Sequence, residues 1–180
     1  EAILLPANFE AYRHYSLLFK AAVRAIAPKV EDRGIDEIYV DLSDNSEETR
    51  SLAQRIKDAV FTATGLSCSI GVTPNKLLSK IASDLEKPNG LTILSLDDVP
   101  TRIWPLAAKK VNGIGPKASE RLERHGIRTI GELAATPQEF LIRKFGRSTG
   151  LWMHRIAHGI DDRPVVTESE PKSISRETTF

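Results

Sequence analysis

Between residues 29 and 42 the chain reads as two short strand-like runs, 29–33 and 35–42, meeting at Gly34. Two such runs so close together must fold back on each other as a hairpin. The second run, Gly34-Ile35-Asp36-Glu37-Ile38-Tyr39-Val40-Asp41, carries two adjacent carboxylates. On a flat strand neighbouring side chains point to opposite faces. Asp36 and Glu37 can therefore share a task only if the backbone bends or bulges there, and Gly34 supplies the freedom to do so. Paired carboxylates at a bend are hard oxygen donors, the kind that hold Mg²⁺ for phosphoryl transfer. Taken alone, they read better as two solvated acids at a turn.

The surrounding pattern sets the fold class. Apolar residues at helical spacing (Tyr12, Tyr15, Leu18, Phe19, Ala22, Val23, Ile26) predict a helix over 9–27, with Asn8 at its start and Pro28 at its stop. After the hairpin, Asn45 reads as the cap of a second helix with Glu48 in the reciprocal position. That helix buries Leu52, Ile56 and Val60 and ends at Gly65. A short apolar run at 66–72 reads as a buried strand, followed by a helix over 74–86, a Pro-Asn-Gly turn at 88–90 and a strand over 91–94. This is the order of a ferredoxin-like βαββαβ unit without its first strand. That strand would be central, supplied from before Glu1, and a place for a further metal ligand. Beyond Asp97 the chain predicts short helices only. The reading is α+β: an incomplete ferredoxin-like unit over 1–104, a small all-helical domain over 105–160, and a tether over 161–180. With no initiating Met and no element completed at its end, the sequence reads as part of a longer chain.

Charge separates the two parts. Residues 1–104 carry 12 Lys/Arg against 15 Asp/Glu, whereas residues 105–158 carry 10 against 4. A basic module joined to an acidic one is a footprint of nucleic-acid binding. No apolar stretch approaches the ~20 residues that span a bilayer, and no signal segment opens the chain. The single cysteine, Cys68, excludes an internal disulfide and reads as a buried thiol in a reducing compartment.

Two further motifs carry chemistry. In the stretch from Asn75 to Gly90, Lys76 and Lys80 share one helix face, while Leu77, Ile81 and Leu85 share another. Lys87 stands just before Pro88, where a flexible ammonium can reach a triphosphate as a point charge. The second motif, Val111-Asn112-Gly113-Ile114-Gly115-Pro116-Lys117-Ala118 followed by Leu122 and Gly126-Ile127, is a helix-hairpin-helix pattern. Gly113 and Gly115 let the backbone approach DNA phosphates, and the N–H groups at the following helix start accept an anion. Lys109, Lys110, Lys117 and Arg121 would add phosphate contacts that do not depend on sequence.

The pattern Asn75-Lys76-x-x-x-Lys80-x-Ala82-Ser83-Asp84-x-x-Lys87-Pro88-Asn89-Gly90 resembles the palm signature of the Y-family DNA polymerases. The Ile35-Asp36-Glu37-x-Tyr39-x-Asp41 run is similar to that family's metal-binding motif, with Gly34 standing where a serine is common. The helix-hairpin-helix element resembles the family's thumb, and residues 171–180 resemble the linker entering its little finger. The resemblance implies error-prone, template-directed translesion DNA synthesis on primer-template DNA and dNTP. Asp36 and Glu37 would be catalytic, two of three carboxylates holding two Mg²⁺ ions. Lys87 and Lys80 would bind the nucleotide, Lys76 would contact primer phosphates, and Asp41 would be structural. It further implies a bacterial, cytoplasmic, nucleoid-associated enzyme, with a sliding clamp met through a region beyond Phe180 and no membrane partner. Because the family's first aspartate, steric gate and fingers precede Glu1, the chain alone is expected to be inactive and to bind DNA weakly. Two other readings stay open here: a non-catalytic homologue serving as a DNA-repair scaffold, and a different palm enzyme, such as a nucleotide cyclase, carrying a helix-hairpin-helix module.

Overall fold

A computed structural model describes residues 2–168 and 177–178. Helix α1 (Phe9–Arg24) starts where the Asn8 side chain accepts a hydrogen bond from the Ala11 amide at 3.0 Å. Strands β1 (Val30–Asp32) and β2 (Ile38–Val40) form the expected antiparallel hairpin, pairing Val30 with Val40, Glu31 with Tyr39 and Asp32 with Ile38. Each has only three residues, so most of the predicted runs is loop.

Helix α2 (Thr49–Thr64) departs from the expected start. Its cap is Glu48, whose carboxylate accepts from the Arg50 and Ser51 amides. The Asn45 side chain instead takes the Glu47 amide at 2.9 Å, closing a local turn that keeps it from capping. The far end is as expected, with Gly65 in the left-handed region at φ 70°.

Strand β3 (Ile70–Val72), helix α3 (Lys76–Leu85) and strand β4 (Leu91–Ile93) form a parallel β-α-β unit in which Ile70, Gly71 and Val72 pair with Leu91, Thr92 and Ile93. Asn75 caps α3 by accepting from the Leu78 amide at 3.0 Å. Among the described residues the two strand pairs are separate two-stranded sheets. That is how an α+β sheet looks when no central strand joins its halves.

After β4 the chain is helical: short 3-10 and π turns over 96–103, another 3-10 turn at Ala108–Lys110, then α4 (Pro116–Glu123), α5 (Ile130–Ala135), α6 (Gln138–Phe145) and α7 (Arg147–Ala157). No helix among the described residues is long and apolar enough to cross a membrane.

Two apolar cores result. One lies among α1, α2 and the hairpin, around Val23, Val30, Leu52, Ile56 and Val60. The other starts on α3 with Leu77, Leu78, Ile81 and Ala82, and runs unbroken through Val99 and Ile103 into the helical region. The leucine face of α3 is thus the root of the helical region. Trp104 spans the join, its indole N–H donating to the Ala157 carbonyl at 2.9 Å.

Helix α3 lies directly on β3. A Cβ at Gly71 would sit 2.4 Å from the Ser79 carbonyl oxygen and 2.5 Å from the Ser83 nitrogen, both backbone atoms that cannot step aside. Gly71→Ala should therefore lift α3 off the strand and destabilise the fold by about 1–3 kcal/mol, measured as a shift in the urea midpoint at constant slope.

Candidate active site and nucleic-acid interface

The hairpin resolves how adjacent carboxylates can work together. Its straight part follows the alternation rule. Val30, Ile38 and Val40 pack towards α1 and α2, while Glu31 and Tyr39 meet Lys76 of α3. Residues 34–36 bend, with Gly34 at φ 144°, and the Arg33 amide donates to the Glu37 carbonyl at 3.0 Å to close the loop. Asp36 lies in this bend and Glu37 at the residue that closes it, both exposed. The bend is held from below by Lys20 of α1, a buried cation that donates to Asp32 Oδ1 at 2.9 Å and to the Gly34 carbonyl at 2.6 Å. Asp32 also accepts from the Gly34 amide at 3.0 Å, and the hydrogen bond from Lys20 holds its carboxyl below the usual carboxylate range. Neither Lys20 nor Asp32 was marked by the sequence pattern.

Helix α3 presents its two lysines to this hairpin. Lys80 forms an ion pair with Glu37, so two of the expected site residues are brought together. Lys76 corrects the expectation. It is buried, its ammonium 2.6 Å from Glu31 Oε2, donating to the Pro164 carbonyl at 2.8 Å and lying 5.3 Å from the centre of the Tyr39 ring. An ammonium so engaged is structural and is not offered to a primer phosphate. Burial tends to raise the Glu31 carboxyl, but Lys76 and the Val166 amide, with Arg33 nearby, outweigh it and hold the group below the usual range.

Lys87 lies two residues beyond the end of α3 at Leu85. Its ammonium is exposed and 2.6 Å from Asp84 Oδ1. The turn that follows is fixed from beneath by Lys57 of α2, a buried ammonium that donates to Asn89 Oδ1 at 2.7 Å, to the Asn89 carbonyl at 3.0 Å and to the Cys68 carbonyl. Asp41 accepts from the Ser43 amide at 2.9 Å, in keeping with a structural part.

In the helical region, Lys109, Lys110, Gly113, Gly115 and Lys117 are all exposed around one hairpin. Gly113 is at φ 108°, and a Cβ there would come 2.8 Å from the Trp152 ring. Pro116 opens α4 and has no N–H to orphan, leaving the amides of the first turn pointing outward. Arg121 is exposed as well, and its side chain is held in place. Its guanidinium stacks 4.8 Å from the centre of Phe145 and donates to the Lys144 carbonyl at 2.5 Å. Arg143 and Lys144 likewise sit over the Phe140 ring, each 5.8 Å from its centre.

The tether expected at 161–180 also needs correcting in its first part. Residues 159–166 are fastened to α3 and β1. Only residues 177–178 of the stretch 171–180, the run that resembles a little-finger linker, are among the described residues. The fastening residues Glu31 and Asp161 lie in two charged stretches, Lys29-Val30-Glu31-Asp32-Arg33 and Asp161-Asp162-Arg163-Pro164. Neither signal names a partner.

The model of the impB/mucB/samB family matches residues 1–84, and that of the DNA polymerase-iota thumb domain matches residues 109–161. A DNA polymerase IV of Methanoculleus marisnigri is 42% identical over 180 residues, covering 99% of this chain and 50% of the relative. DNA polymerase IV 1 of Bacillus subtilis is 40% identical over 184 residues, covering 100% of this chain and 44% of the relative. Among solved structures, DinB from Sulfolobus solfataricus superposes with a TM-score of 0.80 at 27% identity, over 92% of this chain and 50% of that one. A Y-family DNA polymerase chimera gives 0.83 at 28%, over 93% and 50%. With palm and thumb models matched in order and the fold shared, this chain belongs to the Y family of DNA polymerases. It spans about half the length of the curated relatives it matches.

The fastening of 159–166 is sensitive to acid. Glu31 and Asp161 both have depressed carboxyls, Asp161 chiefly through its hydrogen bonds from Arg163. A depressed folded-state pKa means stability that is present at neutral pH and lost as the pH falls through that value. The Val166 and Leu77 amides should therefore lose protection from hydrogen exchange below about pH 4, while the α6–α7 pair keeps its own. Exchange followed by NMR against pH measures both.

Proposed function

We propose that the chain supplies the palm and thumb of an enzyme carrying out template-directed, error-prone translesion DNA synthesis, by nucleotidyl transfer from a dNTP to a primer 3′-hydroxyl. In this reading the palm runs to about residue 104, the thumb over about 105–160, and a linker follows the fastened segment. The observation that carries it is the bend holding Asp36 and Glu37 beside Lys80, on the helix that leads to Lys87. The two exposed carboxylates are hard oxygen donors and fit Mg²⁺, which takes one or two carboxylates and completes its shell with water and substrate phosphates. When bound, such ions neutralise charge on the phosphates and lower the pKa of the attacking hydroxyl.

The protein's own residues do the rest. Asp36 and Glu37 would hold such an ion. Lys80, paired with Glu37 in this structure, would together with Lys87 balance the triphosphate's charge and that of the leaving pyrophosphate. In the thumb, the Gly113–Gly115 hairpin brings backbone amides to the DNA phosphates, with Lys109, Lys110 and Lys117 around it. These contacts grip any sequence, as a polymerase must. The setting is the cytoplasm, on damaged chromosomal DNA, with a sliding clamp as a further partner.

Asp36→Ala in the full-length polymerase should reduce primer extension by about 100-fold or more, as loss of a metal ligand does, with binding to primer-template DNA nearly unchanged. Synthesis that survives this substitution refutes the metal assignment. Lys117→Ala should weaken binding equally on unrelated DNA sequences and flatten the slope of log K against log salt by about one, as read from fluorescence anisotropy titrations.

A further inference from the structure

The residues joining the hairpin, α3 and the segment after α7 form a connected set. Glu31 on β1 and Lys76 at the start of α3 are both buried, at 6% and 9% exposure, and 2.6 Å apart. Each also holds the passing segment: Lys76 donates to the Pro164 carbonyl, and Glu31 accepts from the Val166 amide, both at 2.8 Å. The same segment accepts from α3 twice more. The Asn75 side chain donates to the Gly159 carbonyl at 2.8 Å, and the Leu77 amide to Asp161 Oδ2 at 3.0 Å, with Asp161 steadied by Arg163.

The hairpin and the helix fit in register here. Four residues of helix rise about 6 Å, and two residues of strand about 6.7 Å. Lys76 and Lys80 can therefore meet Glu31 and Glu37 on successive rungs, as the two ion pairs show. The buried rung fixes the level of the exposed one.

We propose that Glu31 is a positioning residue: with Lys76 it straps residues 159–166 across the hairpin and so sets the bend that carries Asp36 and Glu37. The functional meaning rests on the metal role given above to that acid pair. A buried ion pair is seldom retained for stability alone, since apolar residues of like volume serve as well or better. Here the pair gives four groups from three parts of the chain their hydrogen-bond partners. Polar contacts thereby join the segment after α7 to β1 and to α3, and on α3 the Lys80–Glu37 pair reaches the acid bend, so movement of the strap is transmitted to the carboxylates.

The test combines Glu31→Met with Lys76→Met in the 180-residue chain. Each single substitution strands a charge and should lower the melting temperature, and the pair together should recover most of that loss. The double variant then folds without its strap. Two NMR readouts follow: amide exchange at Val166 and at Arg33 in the hairpin, and Mn²⁺-induced broadening of the Asp36 and Glu37 resonances. Exchange at both amides should quicken by about tenfold for a lost buried hydrogen bond. The Mn²⁺ midpoint should rise by about tenfold, as for removal of a group that orients metal ligands. Unchanged exchange in the double variant overturns the strap, and faster exchange with an unchanged Mn²⁺ midpoint overturns the positioning role. If the wild-type chain shows no Mn²⁺ broadening at Asp36 and Glu37, the metal assignment fails instead, and exchange at Val166 and Arg33 still decides the strap.

Discussion

Helix α3 faces two different environments at once, and the rest of the structure is arranged around that fact. Its Leu77, Leu78 and Ile81 side is sunk in the core that continues into the helical region. Its Lys76 and Lys80 side meets the hairpin. Only a helix that lies against the strand backbone at Gly71 can do both, because any side chain there would move it outward. The thumb is therefore rooted on the same helix that faces the acid bend. The apolar core runs through the join at Trp104, so α3 and the helical region share one packed interior.

Three buried lysines share a further pattern. Lys20, Lys57 and Lys76 each reach from a helix to a turn or strand and bind backbone carbonyls there. A long aliphatic stem lets a helix bury its own side of the contact while the ammonium organises polar backbone at the far end. Each of the three fixes a stretch tied to the proposed chemistry: the acid bend, the turn after Lys87, and the strap.

Much of this was legible in the sequence. Helical periodicity located α1, α2 and α3, and the Gly34 bend with its carboxylates was evident from strand alternation broken by adjacent acids. The lysine and leucine faces of α3 followed from spacing alone. What escaped was set by contacts distant in sequence. Lys76 and Lys80 are equivalent on a helical wheel, and only the presence of Glu31 on a neighbouring strand buries one while leaving the other at the surface. Asn45 fits the local rule for a cap better than Glu48 does, but Asn45 is removed by the turn it makes with the Glu47 amide. The strap at 159–166 has no apolar periodicity because its attachment rests chiefly on hydrogen bonds. Such attachments leave no repeating mark.

The cations held over aromatic rings in the helical region bear on how this surface meets a polyanion. Arg121 rests on Phe145, and Arg143 and Lys144 on Phe140. Free on a surface, each of these side chains would sample many rotamers and forfeit that freedom on binding. Parked on rings, they have already given it up during folding. They present a stiff plate of charge in place of a brush. A polyanion meeting such a plate would cost these side chains little further freedom, because the ordering has already been done.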